Sequence, residues 1–246
     1  MAKIELVEYT GKGRGDERWH AADLLIFTKQ TRLEMSVDGL AKVKAMSDSE
    51  KRAELQYMAG TIPSSWEFVD LTFLISGVSR ATAQQITRTR TASYAMQSQR
   101  VTDLRGVGVV NPHQEGSAEA QAFSASVERC LAEYDAAIEA GVAPQDARGL
   151  LPMNVECNLV AKYNLRSLVE LIAARRSLRA QGEYAQLADD MYKAVIEVWP
   201  WAAAFFEPKL AAAIGKLEAL AQEQGITVGK GLGWEIAKVI DLLRKA

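Results

Sequence analysis

The chain is expected to fold as one α+β domain over residues 1–246, mostly helical with a small sheet. Three observations predict this. Long stretches rich in alanine and glutamate carry helical periodicity. Two short runs, at 67–76 (EFVDLTFLIS) and 153–163 (MNVECNLVAKY), are rich in the residue types that favour strands. No internal repeat and no linker rich in Pro, Gly or Ser divides the sequence.

In chain order, the glycine-rich opening Gly11-Lys-Gly-Arg-Gly15 precedes a helix expected over about 17–35. A second helix is expected from 47 to about 60, with Ser47 and Ser49 as candidate caps ahead of Glu50. Residues 67–76 read as a strand that Gly77 breaks, after which Ser79 caps a helix running to about Arg90. Residues 104–117 carry Gly, Asn and Pro and read as a loop, and 117–140 as a long helix. Pro144 opens a short helical turn that Pro152 ends. A strand over 153–163, helices over 164–177 and 184–198, and two closing helices near 207–224 and 233–245 complete the pattern.

Hydrophobic residues make up 48% of the chain and charged residues 24%, which excludes a disordered polymer. A net charge of −2 argues against a nucleic-acid coat or a polybasic membrane binder, though not against a local basic pocket. Cys130 and Cys157 cannot build a disulfide framework and suit a reducing compartment. The opening MAKIELVEYTGKGRG has no apolar core of a signal peptide, and no run reaches the roughly 18 apolar residues of a membrane span. A cytoplasmic protein with neither membrane nor nucleic-acid partner is expected.

The usual catalytic groups are scarce. His20 and His113 stand in unrelated contexts, outside any ligand spacing, so no metal site is expected; His20 reads as a structural or surface residue and His113 as exposed. Cys130 and Cys157 have no histidine nearby in sequence and read as packing residues rather than nucleophiles. Arginine, by contrast, stands where arginine is costly. Leu168, Leu171 and Ile172 form an apolar stripe on their helix, and Arg175, seven residues after Leu168, falls on it. A charge there needs an anion, either Glu170, Glu183 or a ligand. A second concentration combines Arg80, Arg88, Arg90 and Arg100 with Gln84, Gln85, Gln97 and Gln99. The run RTRTASYAMQSQR over 88–100 holds no acidic residue and no lysine. That composition suits phosphate, which guanidinium forks bind bidentately. Aromatic residues are too sparse here to stack single-stranded nucleic acid.

These same residues resemble the signature of flavin-dependent thymidylate synthases. The matching positions are Thr72-Phe73, Ser79-Arg80-Ala81, Gln85, Arg88-Thr89-Arg90, Ser98 and Arg100. A second block, Arg148-Gly-Leu-Leu-Pro152, Asn164-Leu-Arg-Ser-Leu168, Arg175 and Ala180-Gln181-Gly-Glu183, comes in the family's order. The resemblance implies that family's fold and a homotetramer with shared active sites. It implies sites that hold FAD, dUMP and methylene-tetrahydrofolate, with NADPH as reductant. It also implies that Arg175 lies against the pyrimidine and is the catalytic residue. Gln85, Arg88, Ser98, Arg100 and Arg148 would hold the nucleotide, with Gln97 and Gln99 beside them. Ser64, Arg88, Arg90, Asn164 and Arg166 would contact flavin, and Glu67, Thr89, Glu170 and Arg179 stand at further cofactor-side positions.

The sequence departs from the pattern on one side. Thr89 replaces the central histidine of Arg-His-Arg, and Arg179 replaces another histidine. Ile62-Pro-Ser64-Ser-Trp-Glu67-Phe68 lacks both histidines of the corresponding family stretch. The nucleotide arginines are kept while the flavin- and folate-side histidines are not. The leading expectation is one-carbon transfer to carbon 5 of dUMP. Its product is either dTMP or, if water traps the exocyclic methylene intermediate, 5-hydroxymethyl-dUMP, which would suit a bacteriophage that modifies its DNA. The same chemistry on dCMP or UMP, or a non-catalytic nucleotide- or flavin-binding homologue, stays open. A nucleic-acid binder would instead show strongly salt-dependent DNA affinity.

Overall fold

The computed structural model describes residues 2–29, 35–61, 63–176 and 182–207. The helices expected near 207–224 and 233–245 lie outside these residues, except for Glu207.

A four-stranded antiparallel sheet, in the order β1-β2-β4-β3, frames the rest. Strand β1 (Lys3–Tyr9) is an edge strand paired to β2 (Asp70–Ser79). Its sequence KIELVEY alternates weakly and carries charges, so its strand character comes mainly from pairing. Strand β2 starts later than the expected 67–76, because Pro63–Phe68 forms a 3-10 turn anchored by buried Trp66 edge-on to Phe205. It also ends later. Gly77 does not break the strand. It sits at φ +71 in a bulge where the register to β4 (Glu156–Asn164) shifts, and the strand resumes at Val78 and Ser79.

Helix α4 (Arg80–Ile86) comes directly after β2. It stops short of the expected Arg90, because Thr87-Arg-Thr-Arg-Thr91 is a poor helical sequence whose turn carbonyls are held elsewhere. The Tyr94 hydroxyl donates to the Thr89 carbonyl at 3.0 Å and the Ser167 hydroxyl to that of Thr91 at 3.0 Å. Beyond this turn lies a strand that composition does not announce, β3 (Ala92–Met96), created by its ladder to β4.

Helix α1 (Glu17–Thr28) ends before the expected 35, and a separate α2 (Val37–Ala45) starts at a Ser36 cap. The next helix, α3 (Asp48–Ala59), opens on a full capping box: the Ser47 hydroxyl accepts the Glu50 N–H, and the Glu50 carboxylate accepts the Ser47 N–H. The long α5 (Ala118–Glu139), short α6 (Pro144–Ala147), α7 (Leu165–Arg175) and α8 (Gly182–Val198) fall close to expectation, and a short α9 (Ala203–Phe206) comes last. No helix among the described residues is long and apolar enough to cross a membrane.

Leu71, Phe73 and Ile75 of β2 and Leu159, Ala161 and Tyr163 of β4 point to one buried side. That side is covered by the stripes of α7 and α8 and by Trp199, stacked on Trp201 at 5.3 Å. At the far edge the Tyr9 hydroxyl donates to Glu17, whose carboxylate also accepts the Gly13 N–H at 2.7 Å. These bonds lower the Glu17 pKa below 4.5, the first being the larger cause, and the same bond pushes Tyr9 up to about 12. A carboxylate with a depressed folded pKa stabilises above its unfolded value and loses that stabilisation as pH falls. A phenol with a raised pKa stabilises below its unfolded value and loses that as pH rises. The tie therefore acts from about pH 5 to about pH 10. Melting scans from pH 5 down to pH 3 should show a shallower acid decline for Glu17→Gln than for the unmodified chain.

Candidate functional site

The junction of β2, α4 and the entry to β4 forms a polar cleft. The Ser79 hydroxyl caps α4 by accepting the Thr82 N–H at 3.1 Å. The Glu183 carboxylate at the start of α8 clamps this cap, accepting the Ser79 N–H at 2.7 Å, its hydroxyl at 2.5 Å and the Thr82 hydroxyl at 2.6 Å. Backbone bonds from Arg80 to Val155 and from Ala81 to Met153, both 2.9 Å, fix the helix start to the chain entering β4. Between these pieces lies a cleft of about 550 Å³ whose lining includes Arg80, Gln84, Gln99, Asp146, Arg148 and Met153. Among the described residues the Arg80 guanidinium bonds only to sulfur, Met96 Sδ at 3.4 Å and Cys157 Sγ at 3.9 Å, so it is oriented without being neutralised by them. The Gln99 amide nitrogen is buried with no hydrogen-bond partner among the described residues. Cys157 is buried, as a packing role expects. Cys130 is not: it lies on the exposed face of α5 among the described residues.

The expected cofactor-side residues fall into two groups. Asn164 caps α7 by accepting the Ser167 N–H at 2.8 Å, which points the first turn of the helix at the 3-10 turn holding Ser64. There Arg166 pairs with Glu67 at 2.7 Å and Glu170 at 3.1 Å, and both carboxylates raise its pKa, Glu170 first. A second cleft of about 250 Å³ is lined by Arg90, Ser93 and Asn164 together with the Asp70–Lys162 pair, closed at 2.8 Å. Arg88 is exposed and Gln85 half-buried.

Arg175 ends α7 on the apolar stripe, half-buried. Neither carboxylate named for it in the sequence pairs with it. Glu170 holds Arg166, and Glu183 clamps the α4 cap. The guanidinium instead lies 4.5 Å from the centre of the Tyr184 ring. Thr89 joins this corner through its carbonyl bond to Tyr94.

Gln97, Ser98 and Arg100 lie on the exposed segment after β3. Gln97 is bonded to Asn158 through backbone at 2.9 Å and through side chains at 3.0 Å, and the Ser98 hydroxyl accepts the Arg100 N–H at 3.1 Å. Arg179 lies outside the described residues.

A contrast in charge separates these arginines from others. Arg105, Arg166 and Arg176 are paired to carboxylates. Arg80, Arg88, Arg90, Arg100, Arg148 and Arg175 form no ion pair among the described residues. Uncompensated guanidiniums create a potential that draws anions. The site residues nevertheless do not gather in one place. Arg90, Asn164 and Arg166 lie at the Ala92 end of β3, and Gln97, Gln99, Arg80 and Arg148 at its Met96 end. Four residue steps at roughly 3.3 Å separate those strand ends by about 13 Å.

Arg80 and Gln84 are legible in the sequence only as members of the arginine–glutamine run, and the structure puts them into the cleft wall. Nothing in the sequence singles out Tyr184, an aromatic residue at an ordinary helical core position.

Residues 5–201 match the family described as Thymidylate synthase complementing protein. The chain is similar to a flavin-dependent thymidylate synthase of Geobacter sulfurreducens, 37% identical over 138 residues, covering 54% of this chain and 60% of that protein. That match spans less than two thirds of the Geobacter protein's length. A flavin-dependent thymidylate synthase of Halobacterium salinarum is 29% identical over 201 residues, covering 70% of this chain and 81% of that protein. The crystal structure of a UMP/dUMP methylase PolB from Streptomyces cacaoi bound with 5-Br dUMP shares the fold. Its TM-score is 0.67 at 19% identity, over 83% of this chain and 94% of that one.

Proposed function

The chain belongs to the Thymidylate synthase complementing protein family, the flavin-dependent thymidylate synthases, and from that premise we propose that it transfers a one-carbon unit from methylene-tetrahydrofolate to carbon 5 of dUMP. The observation that carries this reading is the cleft in which Arg80 and Arg148, although Asp146 shares the lining, form no ion pair among the described residues, beside a Gln99 amide nitrogen that has no hydrogen-bond partner among them. A nucleotide phosphate supplies the anion those groups lack, and charge-assisted bonds to it are short and strong. Gln85, Arg88, Gln97, Ser98 and Arg100 supply the remaining contacts to the nucleotide.

In this reading Arg175 lies against the pyrimidine. Its charge is permanent at any working pH, so it favours the ring deprotonated at nitrogen 3, which makes carbon 5 the stronger nucleophile. No side-chain nucleophile is required. The new bond joins carbon 5 to the folate-borne carbon, the proton on carbon 5 leaves, and the bond from that carbon to the folate nitrogen breaks, releasing tetrahydrofolate and leaving an exocyclic methylene on the pyrimidine.

The residues present fit a flavin dinucleotide. Arg90 and Asn164 share a cleft, Arg88 forms no ion pair among the described residues, Ser64 is exposed, and Glu67 and Glu170 hold Arg166 in one orientation. When bound, the flavin supplies the two electrons that reduce a transferred methylene to methyl, with NADPH as their source. The two ends of β3 hold different halves of the set, which supports a site completed by a second subunit of a homotetramer.

One incubation with FAD, methylene-tetrahydrofolate, dUMP and NADPH, and a second without NADPH, test the reaction when products are read by mass spectrometry. A methyl product requires the reductant. A hydroxymethyl product stays at the oxidation level of the donor carbon, needs only water and forms in both. UMP and dCMP in parallel report the base and sugar preference. No product from any of them overturns the reading. Arg148→Ala should weaken dUMP binding about ten- to hundredfold, the loss of charge-assisted bonds worth roughly 1.5–3 kcal/mol. Calorimetric titration checks this, and deoxyuridine, which lacks the phosphate, should be insensitive to the substitution.

A further inference from the structure

We propose that Tyr184 is the positioning residue for Arg175, holding the guanidinium against its ring face so that the charge keeps one place over the pyrimidine. The proposal rests on the proposed function for what Arg175 does, but not for what holds it.

Three observations carry it. The Arg175 guanidinium carbon lies 4.5 Å from the centre of the Tyr184 ring, the geometry of a cation–π contact. No carboxylate among the described residues competes, since Glu170 and Glu183 are committed to Arg166 and to the α4 cap. The ring itself cannot drift. Tyr184 is 0% exposed, on the buried stripe of α8 with Leu187, Ala188 and Met191. A charged partner in place of the ring would fix Arg175 as well but would cancel the charge the chemistry uses. An aromatic face orients a guanidinium and leaves its charge in place.

The Tyr184 hydroxyl adds a second link. It is buried and makes no hydrogen bond of full geometry among the described residues. Burial raises its pKa, and the Arg175 guanidinium and the Thr89 side chain oppose that rise. The turn over 88–91 is itself tied down by Tyr94 and Ser167. The same corner holds Thr89, the position where the family pattern has histidine.

The test has a readout without ligand and one with it, each on the full chain supplied with FAD. Phenylglyoxal modification followed by mass spectrometry reports the freedom of individual arginines. In Tyr184→Leu, Arg175 should be modified several-fold faster, while Arg105, paired with Asp103, keeps its rate. Tyr184→Phe, which retains the ring, should leave Arg175 close to its original rate. Calorimetric titration with dUMP then gives a double-mutant cycle. Tyr184→Leu should weaken dUMP about tenfold in the parent and less than about twofold when Arg175 is already alanine, as expected for residues that act as one unit. An unchanged Arg175 modification rate overturns the proposal, as does an equal loss of affinity in both backgrounds. If the unmodified chain binds no dUMP, the functional reading fails, and the modification rates alone decide whether Tyr184 holds Arg175.

Discussion

Replacing Arg175 with alanine should lower one-carbon transfer to dUMP by about two to three orders of magnitude, the range seen when a single preorganised electrostatic group is removed from an active site. The size comes from what the residue does not have. A half-buried guanidinium with a carboxylate partner would be largely neutralised, and its loss would act mainly on stability. Arg175 has an aromatic ring instead of a carboxylate, so its charge stays available to a bound ring. The loss should fall on the chemical step, because the charge acts most strongly where negative charge grows on the pyrimidine. A single-turnover measurement with dUMP bound isolates that step. Arg175→Lys keeps the charge but not the flat, stackable plate, and should recover only part of the rate. Equal turnover by Arg175→Ala, with unchanged circular dichroism, would remove Arg175 from the chemistry.

Local chemistry makes much of this fold legible. The Ser47–Glu50 capping box and the Ser79 cap are each short patterns that the structure realises. The elements that are not legible are those that depend on partners distant in sequence. Strand β3 holds Ala-Ser-Tyr-Ala-Met and becomes a strand because β4 pairs with it. Gly77 reads as an end because glycine weakens strands, yet a bulge uses its positive φ to carry β2 onward. The site divides in the same way. The arginines announce themselves, since unpaired charges in an acid-free stretch are unusual. Their grouping into two ends of β3 does not, because it depends on register. Tyr184 is silent for another reason: on α8 it has the pattern of any core residue, and only the meeting of α7 with α8 puts it beneath Arg175.

Lys51→Ala should destabilise the protein by about 3–5 kcal/mol, because it strands a buried charge. Lys51 Nζ lies 2.7 Å from an Asp23 carboxylate oxygen, with the two side chains only 6% and 13% exposed. It also donates to the Lys44 carbonyl at 3.3 Å and lies 5.6 Å from the centre of the Trp19 ring. Truncation removes all three contacts and leaves Asp23 facing Trp19 and the α1–α3 interface without compensation. For a chain of 150–250 residues each kcal/mol moves the melting temperature by roughly 2–4 °C, so a fall of about 6–20 °C is expected in a thermal scan. The pair as a whole is worth far less than the cost of breaking it, since both charges had to leave water. Asp23→Leu combined with Lys51→Met, of similar volume and apolar, should therefore recover most of the loss that either single change causes. If the double variant melts no higher than Lys51→Ala, the site depends on the lysine's packing and its bond to Lys44 rather than on the balance of buried charge. The pair lies in the α1–α3 layer, away from the clefts that hold Arg80 and Arg90, so nucleotide affinity measured well below the melting temperature should not change.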